Sequence, residues 1–213
     1  MPASLLIPAA FLVAYLLGAV PTALWVGRWF FTLDIRQHGS GNSGATNTFR
    51  VLGKRAGVGV LSFDILKGFV AVFLAHGLLR AGAISAADLV KMQLALGLTA
   101  VLGHIYSVFA NFKGGKGVAS LLGVVLSAAP LPAAACVLLF VAVLWLTSYV
   151  SVSSMTSAAA FPLFVLLLGP RDPWLLGFGA LVAGLVVYTH RVNIGRLRAG
   201  TESKVKPLGR RRG

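Results

Sequence analysis

Acidic residues are scarce in this chain of 213 residues: five Asp and Glu stand against nineteen Lys and Arg. Cysteine occurs once, as Cys136. Charged residues of both signs make up only 11% of the chain, where a soluble domain carries about 25%. Each shortage excludes something. A single cysteine leaves no disulfide framework and no cysteine-based metal site within one chain. So small a charged fraction excludes an ordinary soluble globule. Disorder is excluded from the other side, because 57% of the residues are hydrophobic and so much apolar surface does not stay unfolded in water. What remains is an all-α, polytopic integral membrane protein.

Seven apolar stretches fit that class, at about 5–31, 56–79, 89–102, 118–129, 131–146, 152–168 and 174–188. A hydrocarbon core takes roughly 20 helical residues to cross, so the third and fourth are short unless they extend into their flanks. The opening Met1-Pro2-Ala3-Ser4 carries no positive charge ahead of the first apolar run. That run is therefore expected to be a retained span and not a cleaved signal. No internal repeat is visible, and one membrane-embedded domain over 1–213 with a basic tail at 199–213 is expected.

An excess of basic residues can mean nucleic acid, a cytoplasmic face or an anionic ligand. Their spacing favours the latter two. If the loop after the first stretch is cytoplasmic, every Lys and Arg except Arg80, Lys91 and Arg171 falls on that side. The bias predicts the N-terminus outside and the C-terminus in the cytoplasm. No nucleic-acid partner is expected.

Three polar segments share the basic face. The first, Gly39-Ser40-Gly41-Asn42-Ser43-Gly44-Ala45-Thr46-Asn47-Thr48-Phe49-Arg50, combines small residues with neutral hydrogen-bonding groups and one guanidinium. Backbone N–H groups can approach a ligand closely there, and Arg50 can grip a phosphate bidentately. The second, Phe112-Lys113-Gly114-Gly115-Lys116-Gly117, resembles a phosphate loop but fails the Walker pattern at both ends, with Ala110 and Gly117 where Gly and Ser or Thr are required. It leaves two lysines among glycines just before a helix at Val118, a place that favours anions. The third is His190-Arg191-Val192-Asn193-Ile194-Gly195-Arg196-Leu197, followed by Gly200-Thr201-Glu202. His190 and Asn193 share a helix face there. Asp64 and Lys67, at i and i+3, read as a shielded ion pair with a structural role. Cys136 reads as packing, and one of Ser151, Ser153 and Ser154 is a candidate for the site.

These segments together resemble the bacterial acyl-phosphate:glycerol-3-phosphate acyltransferases. The likeness runs through residues 39–54, 103–118 and 189–202 and the Asp-x-x-Lys-Gly at 64–68, in order along essentially the whole chain. Two departures bear on loop shape: Ser43 stands where the family commonly has Pro, and Tyr106-Ser107 where it has Phe-Pro. The resemblance implies a seven-helix enzyme of the bacterial cytoplasmic membrane, active on the cytoplasmic face. It would move a fatty acyl group from acyl phosphate to the sn-1 hydroxyl of glycerol 3-phosphate, giving lysophosphatidic acid and phosphate in phospholipid synthesis. It further implies that Ser40, Asn42, His190 and Asn193 act at the reaction centre. Gly41, Arg50, Lys113, Gly114, Gly115, Lys116 and, among the serines, Ser151 would hold the phosphorylated substrates.

The residue chemistry suits that reaction. Two phosphorylated substrates need two anion sites, and each charge-assisted hydrogen bond contributes about 1.5–3 kcal/mol. Acyl phosphate is a mixed anhydride with a good leaving group, so neither metal nor cofactor is expected. The base is His190, with an ordinary pKa of roughly 6.5, or a substrate phosphate; a covalent acyl-Ser40 is a third route. The His-x-x-x-x-Asp signature of many thioester-dependent acyltransferases is absent: the four histidines are followed five positions on by Ser43, Ala81, Phe109 and Gly195. A transporter or channel for an anionic solute is the alternative reading.

Overall fold

The computed structural model describes residues 2–205, and no strand occurs among them. Lys206 and Arg210–Arg212 of the expected basic tail lie outside the described residues. The chain divides into two compact units, Met1–Ala128 and Ala129–Gly213.

The first unit begins with α1 (Ala3–Ala19) and α2 (Thr22–Phe31). One span over 5–31 is expected from hydropathy, but the two helices meet at a bend of 44°. The cause is Pro21, which has no N–H to give and disfavours a helical residue before it; Val20 sits at ψ 111°. A broken helix leaves carbonyls without intrahelical donors, and here other segments supply them. Lys67 Nζ donates to Val20 O at 2.9 Å, and Ser107 Oγ donates to Ala19 O.

A turn of 3-10 helix at Ile35–Gln37 leads to α3 (Ala45–Val51), α4 (Gly53–Arg80), α5 (Leu89–Ile105) and α6 (Val118–Ala128). Gly53 opens α4 at φ +86°, a conformation that excludes most side chains. With its flanking 3-10 turns, α5 is a continuous apolar stretch, Ala86–Ala110, long enough to cross a bilayer. The short third segment is thus extended at both ends. By contrast α6 has 11 residues and rises about 16 Å, half of a hydrocarbon core.

Small residues set the packing of this unit. Ala10, Ala14, Ala71, Ala75 and Ala100 are all buried in one cluster. A Cβ on Gly18 would overlap the Ala100 carbonyl where α1 crosses α5, and one on Gly123 would overlap the Ile65 carbonyl where α4 crosses α6. Close backbone approach of this kind is how helices associate in lipid, where apolar burial offers no advantage over contact with acyl tails.

The second unit holds α7 (Pro130–Thr147), α8 (Val150–Leu168), α9 (Pro173–Thr189) and α10 (Arg191–Arg198). Ser148 takes a left-handed conformation between α7 and α8. Asp172 caps α9 by accepting from the N–H groups of Trp174 and Leu175. A bend of 57° separates α9 from α10. Cys136 is buried, its Sγ 3.4 Å from Ser157 O, in keeping with packing. Among the described residues four stretches are long and apolar enough to cross a membrane, and the bent pairs bring the number to six at most.

Candidate active site

In the first unit the two glycine-rich segments are folded by side chains buried beneath them. Asn47, 1% exposed, is the hub of the first. Its Oδ1 accepts from Ser40 N at 2.9 Å, and its Nδ2 donates to Ile35 O at 3.1 Å and His38 O at 3.0 Å. Gly39 and Gly41 have positive φ, and a Cβ on Gly39 would overlap Asn47 Oδ1. Gly41 N donates to His38 O at 3.1 Å. The N–H groups of residues 40 and 41, expected to face a ligand, are therefore turned back into the protein. Ser40 and Asn42 are half-buried, while Gly41 and Arg50 are exposed. Ser43 Oγ is buried and has no hydrogen-bond partner among the described residues.

Asp34 anchors the start of this loop. Its carboxylate accepts from Arg36 Nη2 at 2.7 Å, from Arg36 Nε and N at 3.0 Å, and from Arg28 Nη2 at 3.1 Å. The Arg36 side-chain bonds hold the Asp34 carboxyl far below its ordinary value, overcoming partial burial, and Asp34 in turn raises Arg36.

The second segment bends over the end of α5. Gly114 N donates to Ile105 O at 3.0 Å and Gly115 N to His104 O at 3.1 Å. A Cβ on Gly114 would overlap His104 O, and one on Gly115 would overlap His104 Nε2. These glycines, expected to offer N–H groups to a phosphate, instead allow the loop to lie against His104. Ser107 sits at φ −67°, the angle a proline would fix. It keeps the loop shape and adds its hydroxyl bond to Ala19 O. Lys113 is exposed and Lys116 half-buried, ahead of α6. Arg36 links the two segments, its Nη1 donating to Ala110 O at 3.4 Å.

In the second unit, His190 lies at the bend between α9 and α10 and is 2% exposed. Its Nδ1 is 2.8 Å from Val186 O. A carbonyl can only accept, so Nδ1 carries the hydrogen of this contact. Gly200 then reverses the chain at φ +69° and brings Glu202 back toward α10. Glu202 Oε1 accepts from Asn193 Nδ2 at 2.6 Å and from Ser151 Oγ at 2.7 Å. Of the candidate serines, Ser151 thus shares a partner with Asn193, whereas Ser153 Oγ donates to Tyr149 O within its helix.

Asn47 and Glu202 carry roles that the sequence reading did not assign. Glu202 had a signal, as the one glutamate in the chain and an acid among Arg191, Arg196, Arg198 and Lys204. No group of three or more His, Cys, Asp or Glu that could hold a metal occurs among the described residues.

Membrane-length apolar helices, with cation-bearing loops in the first unit, place the protein in the class of helical integral membrane proteins. A family model described as glycerol-3-phosphate acyltransferase matches residues 8–200. The glycerol-3-phosphate acyltransferase of Fusobacterium nucleatum is 42% identical over 90% of this chain and 94% of its own length. That of Geobacter sulfurreducens is 45% identical over 91% and 95%. Among solved structures, the fold is similar to PlsY (YgiH), described as an integral membrane glycerol 3-phosphate acyltransferase, at 36% identity over 95% of this chain and 96% of that one. The TM-score is 0.83 for its glycerol 3-phosphate form and 0.80 for its lysophosphatidic acid form. The chain belongs to the glycerol-3-phosphate acyltransferase family. It is a membrane acyltransferase of phospholipid synthesis, and the transporter reading gives way.

Proposed function

We propose that the protein transfers a fatty acyl group from acyl phosphate to the sn-1 hydroxyl of glycerol 3-phosphate, releasing lysophosphatidic acid and inorganic phosphate. The observation that carries this reading is the joining, through Arg36 and Ala110, of the segment that leads into α3, the helix bearing Arg50, to the loop bearing Lys113 and Lys116. Three cations on two linked segments of one unit suit two phosphorylated substrates. Because the N–H groups of Ser40, Gly41, Gly114 and Gly115 are bonded internally, the phosphates are held by side chains. Arg50, Lys113 and Lys116 supply charge, Ser40 and Asn42 supply neutral bonds, and the glycines set the loop shape.

In the reaction the glycerol hydroxyl oxygen attacks the acyl carbonyl carbon, and the bond from that carbon to the phosphate oxygen breaks. The hydroxyl proton ends on the departing phosphate. His190 Nε2 takes the hydroxyl proton as the new bond forms and hands it to the departing phosphate, while Asn193 and Ser151, held by Glu202, orient the reacting groups. The acyl chain stays in lipid. An apolar notch of about 300 Å³ beside the α1–α2 bend, lined by Leu16, Val20, Trp25 and Phe109 among others, suits part of it.

The same reading makes the chain one membrane-embedded acyltransferase domain of the bacterial inner membrane. Its seven membrane segments are the six membrane-length helices or bent pairs together with the short α6, which enters the bilayer without crossing it alone, with the N-terminus outside and the active face cytoplasmic. It is supported by the basic residues: with the loop after the first span cytoplasmic, all except Arg80, Lys91 and Arg171 would be assigned to that side.

The test uses purified protein in lipid with labelled glycerol 3-phosphate and either acyl phosphate or acyl-CoA. Product is expected from acyl phosphate. Arg50→Ala and Lys113→Ala should each lose ten- to hundredfold in kcat/KM, the size of one or more charge-assisted bonds, without loss of fold. Wild-type rates in both variants would overturn the site assignment. Turnover from acyl-CoA alone would overturn the donor.

A further inference from the structure

Behind the 113–117 loop lies a buried polar chain that the reaction described above does not use. Asp64 on α4 is 1% exposed and Lys67, one turn on, 4%; their charged atoms are 2.8 Å apart. Asp64 Oδ1 also accepts from Thr22 Oγ1 at 3.0 Å, and Lys67 Nζ donates to Val20 O at 2.9 Å. His104 on α5 places Nδ1 3.8 Å from Asp64 Oδ1 and 3.1 Å from Ser120 Oγ on α6. Burying an ion pair costs several kcal/mol per charge before any gain from pairing, and apolar side chains would fill the same space. A stability argument alone does not account for the chain of contacts.

The position of His104 does. Its ring fills the space behind Gly115, so that a Cβ there would overlap Nε2. Its carbonyl accepts from Gly115 N, and the next carbonyl, of Ile105, accepts from Gly114 N. Ser120, its hydrogen-bond partner, lies three residues beyond Gly117, at the start of the helix the loop leads into. The ring therefore touches the loop and the helix after it, with Asp64 of α4 beside it at 3.8 Å and Lys67 tying Asp64 to the broken end of α1. Rotation of an imidazole is stopped when each edge has a defined neighbour, and a loop built on a stopped ring keeps one shape.

We propose that His104 is a positioning residue for the anion-binding loop, setting the backbone from which Lys113 and Lys116 reach the substrate phosphate. Ser120 holds His104 in that orientation, with the buried Asp64–Lys67 pair packed beside the ring. This rests on the reading that Lys113 binds a phosphorylated substrate.

A double-mutant cycle in lipid-reconstituted enzyme tests it, with KM and kcat measured for each substrate in His104→Ala, Lys113→Ala and the double variant. His104→Ala is expected to raise the KM of the same substrate that Lys113→Ala weakens, by tenfold or more, with kcat within threefold of wild type. The double variant is expected within threefold of the weaker single variant, because the histidine acts through the lysine. Effects that multiply, or a loss confined to kcat or to the folded fraction, would overturn the proposal. Should His104→Ala fail to fold, Ser120→Ala removes only the partner of Nδ1 and runs the same cycle. An unchanged KM or multiplying effects there would overturn it equally. If Lys113→Ala leaves both KM values unchanged, the assignment of the loop to phosphate fails, and the role of His104 falls with it. A shift with Lys113→Ala but none with His104→Ala refutes His104 alone.

Discussion

Replacing Glu202 probes the second unit most directly, because one oxygen serves two site residues. Glu202 Oε1 accepts both the Ser151 hydroxyl at 2.7 Å and the Asn193 amide at 2.6 Å. Ser151 is 3% exposed and Asn193 9%, so water does not readily replace the lost acceptor. Glu202→Ala removes two charge-assisted bonds of about 1.5–3 kcal/mol each, some 3–6 kcal/mol in all. A domain has about 5–15 kcal/mol of stability to lose. Glu202→Gln keeps an oxygen in place of Oε1. Both contacts survive as neutral bonds, each weaker by about 1 kcal/mol. The expected order is wild type, then Gln slightly less stable, then Ala far less. Thermal unfolding in detergent gives the ranking, and turnover with acyl phosphate should fall in the same order. A Gln variant as damaged as Ala would mean that charge, and not the shared acceptor, is what matters. An Ala variant with wild-type unfolding and turnover would refute the reasoning outright.

Asn47→Ala removes three hydrogen bonds from a buried position, at about 0.5–1.5 kcal/mol each. It should expose the 35–44 loop to proteolysis and hydrogen exchange while the helices stay protected. Acid should loosen the same loop by another route. The Asp34 carboxyl is held below its ordinary value of 3.8, so its contribution is complete above that pH and is lost as pH falls below it. Exchange of the 34–38 amides should accelerate between about pH 4 and pH 2, and Asp34→Asn should abolish that acid dependence.

Pairs close in sequence were legible before folding was considered. Asp64 and Lys67 announce their ion pair by spacing. The seven apolar runs likewise mark where helices lie. Pro21 was visible, yet the run through it is uniformly apolar, and hydropathy has no term for a carbonyl left without a donor. Only the folded chain shows Lys67 and Ser107 arriving to satisfy it. Asn47 reaches partners up to 12 positions away and Glu202 one that is 51 away. Neither distance leaves a local pattern. Gly114 and Gly115 were noticed for a different property. Glycine in a basic loop suggests exposed N–H groups, whereas here it marks the surface pressed against His104.

The crossings of α1 with α5 and of α4 with α6 have a mechanical consequence. Helices that meet on bare backbone have no compressible cushion between them, so one added methyl must pry whole helices apart. Since Ile65 adjoins Asp64 on α4 and Ala100 lies one turn before His104 on α5, that displacement would be passed to the loop packed on His104. Gly18→Ala or Gly123→Ala should therefore impair the grip on substrate.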